Sequence, residues 1–475
     1  MSELLRPDIC VIGAGAGGVT AAMTAAVYGV PVVLVENNKM GGTHLNTGSV
    51  PSQALIAAAR RAETLRHAKS FGLNAPRAKV DFYRIHDHIR SIIEAASPNL
   101  SRERLSGLGV QVIDGTGRFK DAKTLAVGEA IEIKARRFII ATGSSPAIPE
   151  IPGIEQAPYL TNETIFDLLA CPKHLVVIGA GSTGLSLAQA FRRLGAEVTV
   201  LEAAQPLAEH DSECAAIVLN QLEREGIAIR AGVQVVRVKS GKSKVQLFVT
   251  GANGEERIEA SHLLVAAGRM PNIEELNLDV AGVAYGRNGI VVDGRLRTSN
   301  KKVYAIGDVA GGPPFTHVAK AHADIVIRNA LFRLPAKVRH IALPQVTYTE
   351  PELAHIGLTE TEARQRHRAF QVLRWPYREN DRALAERQIN GHVKVITSKG
   401  GKILGVTIVG THAGELITAW ALAVKQGMNV HAFADLAVAC PTYSEISKQA
   451  AVSYFASRLA RPWIRRIIAV LRLLG

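Results

Sequence analysis

Two stretches of the chain combine glycines and an acid at a spacing that suits one chemistry. Gly13, Gly15 and Gly18 form a G-x-G-x-x-G turn followed by Glu36, and Gly179, Gly181 and Gly184 repeat the turn ahead of Glu202. The distance from first glycine to acid is 23 residues in both (36 − 13 and 202 − 179). Such glycines let the backbone turn tightly and approach a pyrophosphate, whose charge meets the free N–H groups and positive dipole end of a following helix. The acid accepts hydrogen bonds from ribose hydroxyls. A lone turn of this kind is a weak signal. Strand, glycines, helix, strand and acid in register make it strong, and the register occurs here twice. Two dinucleotides are therefore expected, FAD at the first turn and a nicotinamide dinucleotide at the second. No arginine stands just after Glu202, and a carboxylate repels a 2′-phosphate, so NADH is expected over NADPH. A duplicated fold that has lost its ligand is the other reading of the second turn.

The elements that must hold these turns can be read around them. Residues 8–12 read as a strand of the kind buried on both faces of a sheet, an alanine-rich helix extends to about Tyr28, and Val32–Val35 is the next strand. Leu175–Ile178 and Val198–Leu201 are their counterparts in the second unit. Further apolar strands run into turns at Phe138–Gly143, at Leu263–Asn272 and at Val303–Asp308. A length of 475 residues suits about three domains. A hydrophobic share of 47% with 42 glycines fits a large α/β protein rich in tight turns. The four cysteines, at 10, 171, 214 and 440, form no C-x-x-C or metal-spaced pair. They predict no disulfide framework and no metal site, and fit a reducing compartment. No signal peptide is read at the start, and no run of about 18 apolar residues suggests a membrane span. The expected location is the cytoplasm. The net charge of +14 comes with no nucleic-acid motif, so no nucleic-acid partner is expected.

Taken in order, these segments resemble the two-dinucleotide flavoprotein disulfide reductases, a family that includes dihydrolipoamide dehydrogenase, glutathione reductase and mercuric reductase. The likeness covers roughly residues 7–455. Pro344–Pro351, Gly357–Thr359, Asn380–Ala383 and Gly405–Gly414 are similar to the interface domain of its mercuric-reductase-like branch. The resemblance implies an α/β fold with two Rossmann-like dinucleotide-binding domains, for FAD and NAD, and a C-terminal α+β dimerisation domain. The implied divisions are 1–150 and 271–340 for FAD, 151–270 for NAD, 341–457 for the homodimer interface, and 458–475 as a tail. It also implies site residues. Gly42 and Thr43 would hold the FAD pyrophosphate, Thr142 and Gly143 would lie near the FAD, and Asp308 would bind its ribityl chain. Pro314–His317, with Phe315 and His317, would run beneath the flavin ring. Gln53 would lie beside the flavin, and Gly117 and Gly268 complete the cofactor-binding set.

The chain departs from the family where electrons would leave. The family carries two cysteines and a lysine in the segment that is Gly41–Leu55 here, and this chain has His44, Ser49 and Gln53 at those positions. Neither imidazole nor hydroxyl cycles by two electrons. The family's lysine pairs with a glutamate whose position is Ser186, so both halves of the pair are neutral. The nicotinamide-side position, often tyrosine, is Ser182. In Ala439–Glu445 the acid/base histidine position is Cys440, with Glu445 kept. His44, Cys440 and Glu445 are the candidate catalytic residues. Cys440 is also readable as a small filler, and His44 as a structural histidine.

Residues 458–475, RLARPWIRRIIAVLRLLG, extend past the resemblance. On a helix started at Pro462, residues Trp463, Ile464, Ile467, Ile468, Leu471 and Leu474 share a face, and Arg461, Arg465, Arg466 and Arg472 flank it. Such a helix suits the surface of an anionic bilayer on the inner face of the cell membrane, or docking on a dimer or partner protein. The sequence thus favours a flavoprotein that passes hydride from NAD(P)H through FAD to a non-disulfide acceptor such as a membrane quinone. The alternatives are a thiol or metal-ion reductase built on Cys440, and a non-enzymatic FAD-binding module for sensing or partner interaction.

Overall fold

The computed structural model describes residues 3–74, 79–241, 244–251, 254–339, 343–459 and 462–473. The chain divides into two compact units, 1–179 with 190–201 and 234–338, and 180–189 with 202–233 and 339–475. The segment 151–270 is shared between them.

The first unit is built on a parallel sheet in the order Val303–Ala305, Arg137–Ile140, Ile9–Ile12, Val32–Glu36, Val110–Asp114. Its central strands read as unbroken apolar runs because both faces are covered. Ile9, Val11 and Leu34 face Val19, Ala22, Val326 and Ile327, while Cys10, Ile12, Val33 and Val35, with Phe138 of the neighbouring strand, pack with Phe119, Leu125 and Ile133. Each such aliphatic side chain contributes about 1.5–3 kcal/mol by leaving water. The first face is covered by helices Ala16–Val27 and Thr316–Ala330. They approach closely enough that a Cβ on Gly17 would lie 3.2 Å from Ala319 Cβ. The second face carries a small sheet of Glu3–Leu5, Ile131–Ile133, Thr124–Val127 and Gly117–Asp121. Val303–Ala305 joins this sheet from beyond the second glycine turn, so the first dinucleotide fold is discontinuous in sequence. A second parallel sheet orders Tyr159–Leu160, His262–Val265, His174–Ile178 and Glu197–Glu202.

The second unit holds an antiparallel sheet in the order Gln345–Thr347, Glu352–Gly357, Ile403–Gly410, His392–Ser398, Phe370–Pro376. Helices Ala413–Gln426 and Ser444–Leu459 pack with it around a core that includes Val406, Ile408, Ile417, Ile446 and Trp420. Trp420 is fully buried, stacks on Phe433 at 3.7 Å and donates its indole N–H to Ser447. Lys394 is 3% exposed, and its ammonium reaches Asp211, Glu213 and Glu360 at 2.7, 3.0 and 2.8 Å. An alternation of apolar strands and helices in the first unit, and an antiparallel sheet with helices in the second, is the α/β plus α+β division that the sequence implies.

The C-terminal helix is Pro462–Leu471. Of the tail residues named above, Arg461 and Leu474, and the side chains of Pro462, Trp463 and Arg465, lie outside the described residues. Among the described residues no helix is long and apolar enough to cross a membrane.

Candidate cofactor site and its altered redox segment

The first glycine turn joins the strand Ile9–Ile12 to the helix Ala16–Val27. Gly13 has φ +102°, and a Cβ there would run into the Ala141 carbonyl. A Cβ on Gly18 would run into the carbonyl of Gly13. At Gly15, by contrast, a Cβ would meet nothing within 4 Å. Two glycines thus close the turn, and the third leaves its outer face bare. Gly15 caps the helix without any side-chain cap, which leaves first-turn N–H groups for a ligand. Glu36 is 9% exposed and accepts from the backbone N–H of Ala14 at 2.5 Å, Asn37 at 3.0 Å and Asn38 at 2.8 Å. Its carboxylate therefore ties the strand end to the turn. Gly42 lies against the same turn, where its Cβ would sit 2.9 Å from Gly15 Cα, and Gly41 donates to the Ala14 carbonyl at 2.9 Å. The bare Gly15 face and uncapped helix start fit the pyrophosphate of a dinucleotide.

The segment that follows folds as two helices, Gly42–Asn46 and Ser49–His67. Thr43 is exposed, His44 is half-buried in the first helix, and Gln53 is half-buried one turn into the second. Burial, aided by the charge of Lys320, pulls the His44 pKa below its usual value. Its Nδ1 is buried with no hydrogen-bond partner among the described residues. Ser49 is exposed, and its hydroxyl meets that of Thr316 at 3.1 Å.

A polar chain runs from this segment across the unit. Thr47 O accepts from Asn162 Nδ2 at 3.0 Å, and Asn162 Oδ1 accepts from Arg269 at 3.2 Å. Arg269 donates through Nε to Ser144 Oγ at 2.7 Å and through Nη2 to Ser144 O at 2.5 Å. Ser144 Oγ donates to Asp308 Oδ2 at 2.5 Å, and Arg269 Nε stands 3.7 Å from the same oxygen. Burial lowers the Arg269 pKa, while Asp308 and Glu163 oppose that. Thr142 and Asn272 exchange hydrogen bonds, side chain to carbonyl, at 2.7 and 3.0 Å. Gly143, at φ +70°, accepts from Asn272 N–H. Phe315 caps the helix Thr316–Ala330 and stacks on His317 at 5.4 Å. Thr142, Gly143, Asp308, Gly42 and Thr43 thus share one unit with the first turn. Gly268, at φ +128°, accepts from Ala147 N–H in that unit. Gly117 opens a strand of the small sheet, where its Cβ would face Leu125 at 3.1 Å and Ile12 at 3.6 Å.

The second turn repeats the first, part by part. In the first unit, Gly179 has φ +107°, and its Cβ would run into the Ala266 carbonyl. In the second unit, Ala180 N–H donates to Glu202 at 2.8 Å, the counterpart of Ala14 and Glu36. A Cβ on Gly181 would meet nothing within 4 Å, as at Gly15, and Gly184 is buried. Ser182 opens the helix Ser182–Arg193, bonds Thr347 Oγ1 at 2.7 Å and stands 3.4 Å from His210 Nε2. Burial, with the charge of His355, pulls the His210 pKa to about 4. Ser186 is 8% exposed and returns its hydroxyl to the Ser182 carbonyl at 2.7 Å, so the position is self-satisfied without an ionic partner.

Cys440 is exposed in the second unit. The hydrogen-bonding and charge of Glu445 push its thiol above the usual range. Glu445 itself accepts from Thr442 N–H at 3.1 Å in the first turn of its helix. A low-pKa thiolate needs a cation or an imidazolium nearby, and the neighbouring acids work against one. All four cysteines are free.

Comparison with known proteins decides the family. The pyridine nucleotide-disulphide oxidoreductase pattern matches residues 7–323, and the dimerisation-domain pattern of the same group matches residues 343–451. The chain belongs to the pyridine nucleotide-disulphide oxidoreductase family. It is 35% identical over 454 residues to mercuric reductase of Streptomyces lividans, covering 94% of this chain and 96% of the relative. It is 34% identical over 454 residues to dihydrolipoyl dehydrogenase of Staphylococcus aureus, with the same coverages. Among solved structures, LpdA from Mycobacterium tuberculosis superposes with a TM-score of 0.87 at 27% identity, covering 94% of this chain and 99% of the other. The Cu(II) complex of the HOCl-induced flavoprotein disulfide reductase RclA from Escherichia coli gives 0.83 at 28%, with 93% and 98% covered.

Proteins of the pyridine nucleotide-disulphide oxidoreductase family depend on FAD and take electrons from NAD(P)H, and the bare glycine face of the first turn fits that cofactor. Sequence reasoning missed the polar chain. Arg269 and Asn272 belong to the Gly268–Asn272 motif, yet only the glycine stood out, because a turn announces itself locally and a bond to Ser144 does not. Asn162, Ser144 and Lys320 carry no sequence signal of this kind.

Proposed function

We propose that this chain is a flavoprotein oxidoreductase that uses NAD(P)H, with NADH favoured, to reduce an external acceptor without a protein disulfide. The acceptor class is a lipid-soluble quinone, and the balance is NADH, a proton and quinone giving NAD⁺ and quinol. The observation that carries the reading is the redox segment itself: His44 and Ser49 stand where the family resemblance puts the cysteine pair, and every cysteine in the chain is free. Bound FAD supplies the two-electron relay between nicotinamide and acceptor. The chain supplies position and electrostatics. Gly13, Gly15, Gly18 and Glu36 hold the first dinucleotide, and Thr142, Gly143 and Asp308 hold its remaining length. Gly179, Gly181, Gly184 and Glu202 hold the second, with the Glu202 carboxylate disfavouring a 2′-phosphate.

Burial and the charge of Lys320 both disfavour the charged form of His44. Its unpartnered Nδ1 is available to a cofactor or acceptor atom. The neutral Gln53 and Ser186 leave no buried charge to be matched where the family has an ion pair. Residues 343–451 match the dimerisation domain, which supports a homodimer. The other reading is an FAD-binding module that senses or recruits a partner, favoured by the loss of the ion pair and of the nicotinamide-side tyrosine at Ser182. Anaerobic mixing of the FAD-loaded protein with NADH separates them. Bleaching of the flavin absorbance within seconds, and its return on adding a quinone, is the expected result. A flavin that stays oxidised would refute the enzyme and leave the binding module.

A further inference from the structure

The C-terminal helix Pro462–Leu471 is used by none of the chemistry above. At about 3.6 residues per turn, Ile464, Ile467, Ile468 and Leu471 fall within one sector, with Val470 at its edge. Arg472 lies on the flank of that sector and Arg466 on the opposite side. Ile467, Ile468, Val470 and Leu471 are 48, 50, 58 and 59% exposed, and Arg466 and Arg472 are exposed as well. Ile464 is half-buried, so the helix is partly covered near its start, while the aliphatic side chains of its second half stand open to solvent. A cluster of aliphatic side chains on one short helix calls for an occupant.

Charge selects the occupant. Residues 458–475 contain five arginines and no Asp or Glu. A second copy of the chain would bring its own cationic tail to the contact. An anionic bilayer offers apolar depth and a continuous negative surface together. Ten helical residues make about 15 Å, half the roughly 30 Å of a bilayer core, so the helix lies along the surface and does not span. We infer that the C-terminal helix Pro462–Leu471 docks this protein on an anionic phospholipid bilayer, with Ile467, Ile468 and Leu471 at the acyl boundary, Arg472 on headgroup phosphates and Arg466 adding to the positive field. The inference rests on the helix alone and stands whether or not the acceptor is a quinone.

The test is flotation of the full-length, FAD-loaded protein with vesicles of phosphatidylcholine, with and without phosphatidylglycerol. Two variants are compared, Ile467→Asp with Leu471→Asp, and Arg466→Glu with Arg472→Glu. Retained flavin absorbance and unchanged mass by light scattering show that each variant is folded and assembled as the parent is. Wild type floats with phosphatidylglycerol vesicles and little with phosphatidylcholine alone, and high salt weakens it. The aspartate pair lowers the bound fraction by roughly tenfold or more, and the glutamate pair lowers it too. Failure of wild type to float, equal binding to both vesicles, or wild-type binding by either variant overturns the inference. A changed mass in the aspartate variant assigns the helix to the contact between copies and also overturns it.

Discussion

Replacing Arg269 by alanine tests whether the polar chain sets the cofactor's grip. Arg269 fixes Ser144 by two hydrogen bonds, at 2.7 and 2.5 Å, and Ser144 in turn holds Asp308 Oδ2 at 2.5 Å. That leaves Asp308 Oδ1 for the proposed ribityl contact. Without the guanidinium, the Ser144 hydroxyl loses the donor that orients it, and the carboxylate loses the cation that stands 3.7 Å away. The effect on the cofactor is that of one misplaced charge-assisted hydrogen bond, about 1.5–3 kcal/mol, or roughly 10- to 150-fold weaker FAD binding. Ser144→Ala removes the link and leaves both charges, and is expected to cost about 1 kcal/mol, roughly fivefold. Arg269→Lys cannot fork to both Ser144 oxygens and Asn162, so it is expected to resemble alanine more than wild type. The assay is fluorescence titration of FAD into apoprotein, with apoprotein melting followed separately. Wild-type FAD affinity in Arg269→Ala would refute the reasoning, even if the melting temperature fell, because it would show that the chain braces the fold and not the site.

Three further outcomes are expected. His210 titrates at about 4 when folded and near 6.5 when unfolded, so the unfolded chain binds its proton first as pH falls. Stability from this group is therefore complete above about pH 6.5 and is lost progressively down to about pH 4, by up to about 3 kcal/mol; His210→Gln flattens the melting temperature across that window, and an unchanged slope would reject the assignment. Lys394→Met leaves Asp211, Glu213 and Glu360 without their buried ammonium and is expected to destabilise the second unit by about 3–5 kcal/mol, read as an earlier denaturant transition in tryptophan fluorescence; an unmoved midpoint would show that the cluster is solvated. Cys440→Ser is expected to leave NADH-dependent turnover unchanged, because Glu445 pushes the thiol away from ionisation, and a large loss of turnover would restore the thiol mechanism.

Much of the fold was legible because dinucleotide folds write themselves locally. Gly13 and Gly179 are read from sequence as turn residues, and each takes φ near +100° with a carbonyl where its Cβ would be. The acids Glu36 and Glu202 were placed by spacing, and each receives the N–H that follows its first glycine. The spacing did not reveal that these acids are part of the turn's own hydrogen bonding as well as candidates for the ribose. Interactions between residues far apart in sequence were not legible. Arg269 meets Ser144 across 125 positions, and Lys394 meets Asp211 across 183. A charged residue in a strand, such as Lys394 in His392–Ser398, reads as solvated until its carboxylates are seen. The compact units also cross the expected 151–270 division, since sequence motifs mark the second dinucleotide fold but not where its helices pack.

The segment Gly41–Leu55 is best understood through what is satisfied around it. A family site that had merely decayed would be expected to leave unmatched groups behind, because a lone buried charge costs several kcal/mol and a lone buried polar atom about 1–3 kcal/mol. Ser186 closes on its own helix, Ser182 is bonded to Thr347, and Ser49 meets Thr316. Each of these serines is satisfied without the others, which is the condition for a stable neutral polar site where the family resemblance expects a charged one. His44 is the exception, with a buried Nδ1 that no described residue meets and a pKa held down by burial and Lys320. Among the described residues, the buried side-chain polar atom left without a partner in this segment thus belongs to His44, a position where the family resemblance expects a cysteine. An orphan there costs stability unless a ligand completes it. His44→Leu should therefore stabilise the apoprotein while weakening FAD or acceptor binding, and His44→Ala rescued by imidazole would place the missing partner on the ligand; stability and binding that fall together would instead make His44 a packing residue.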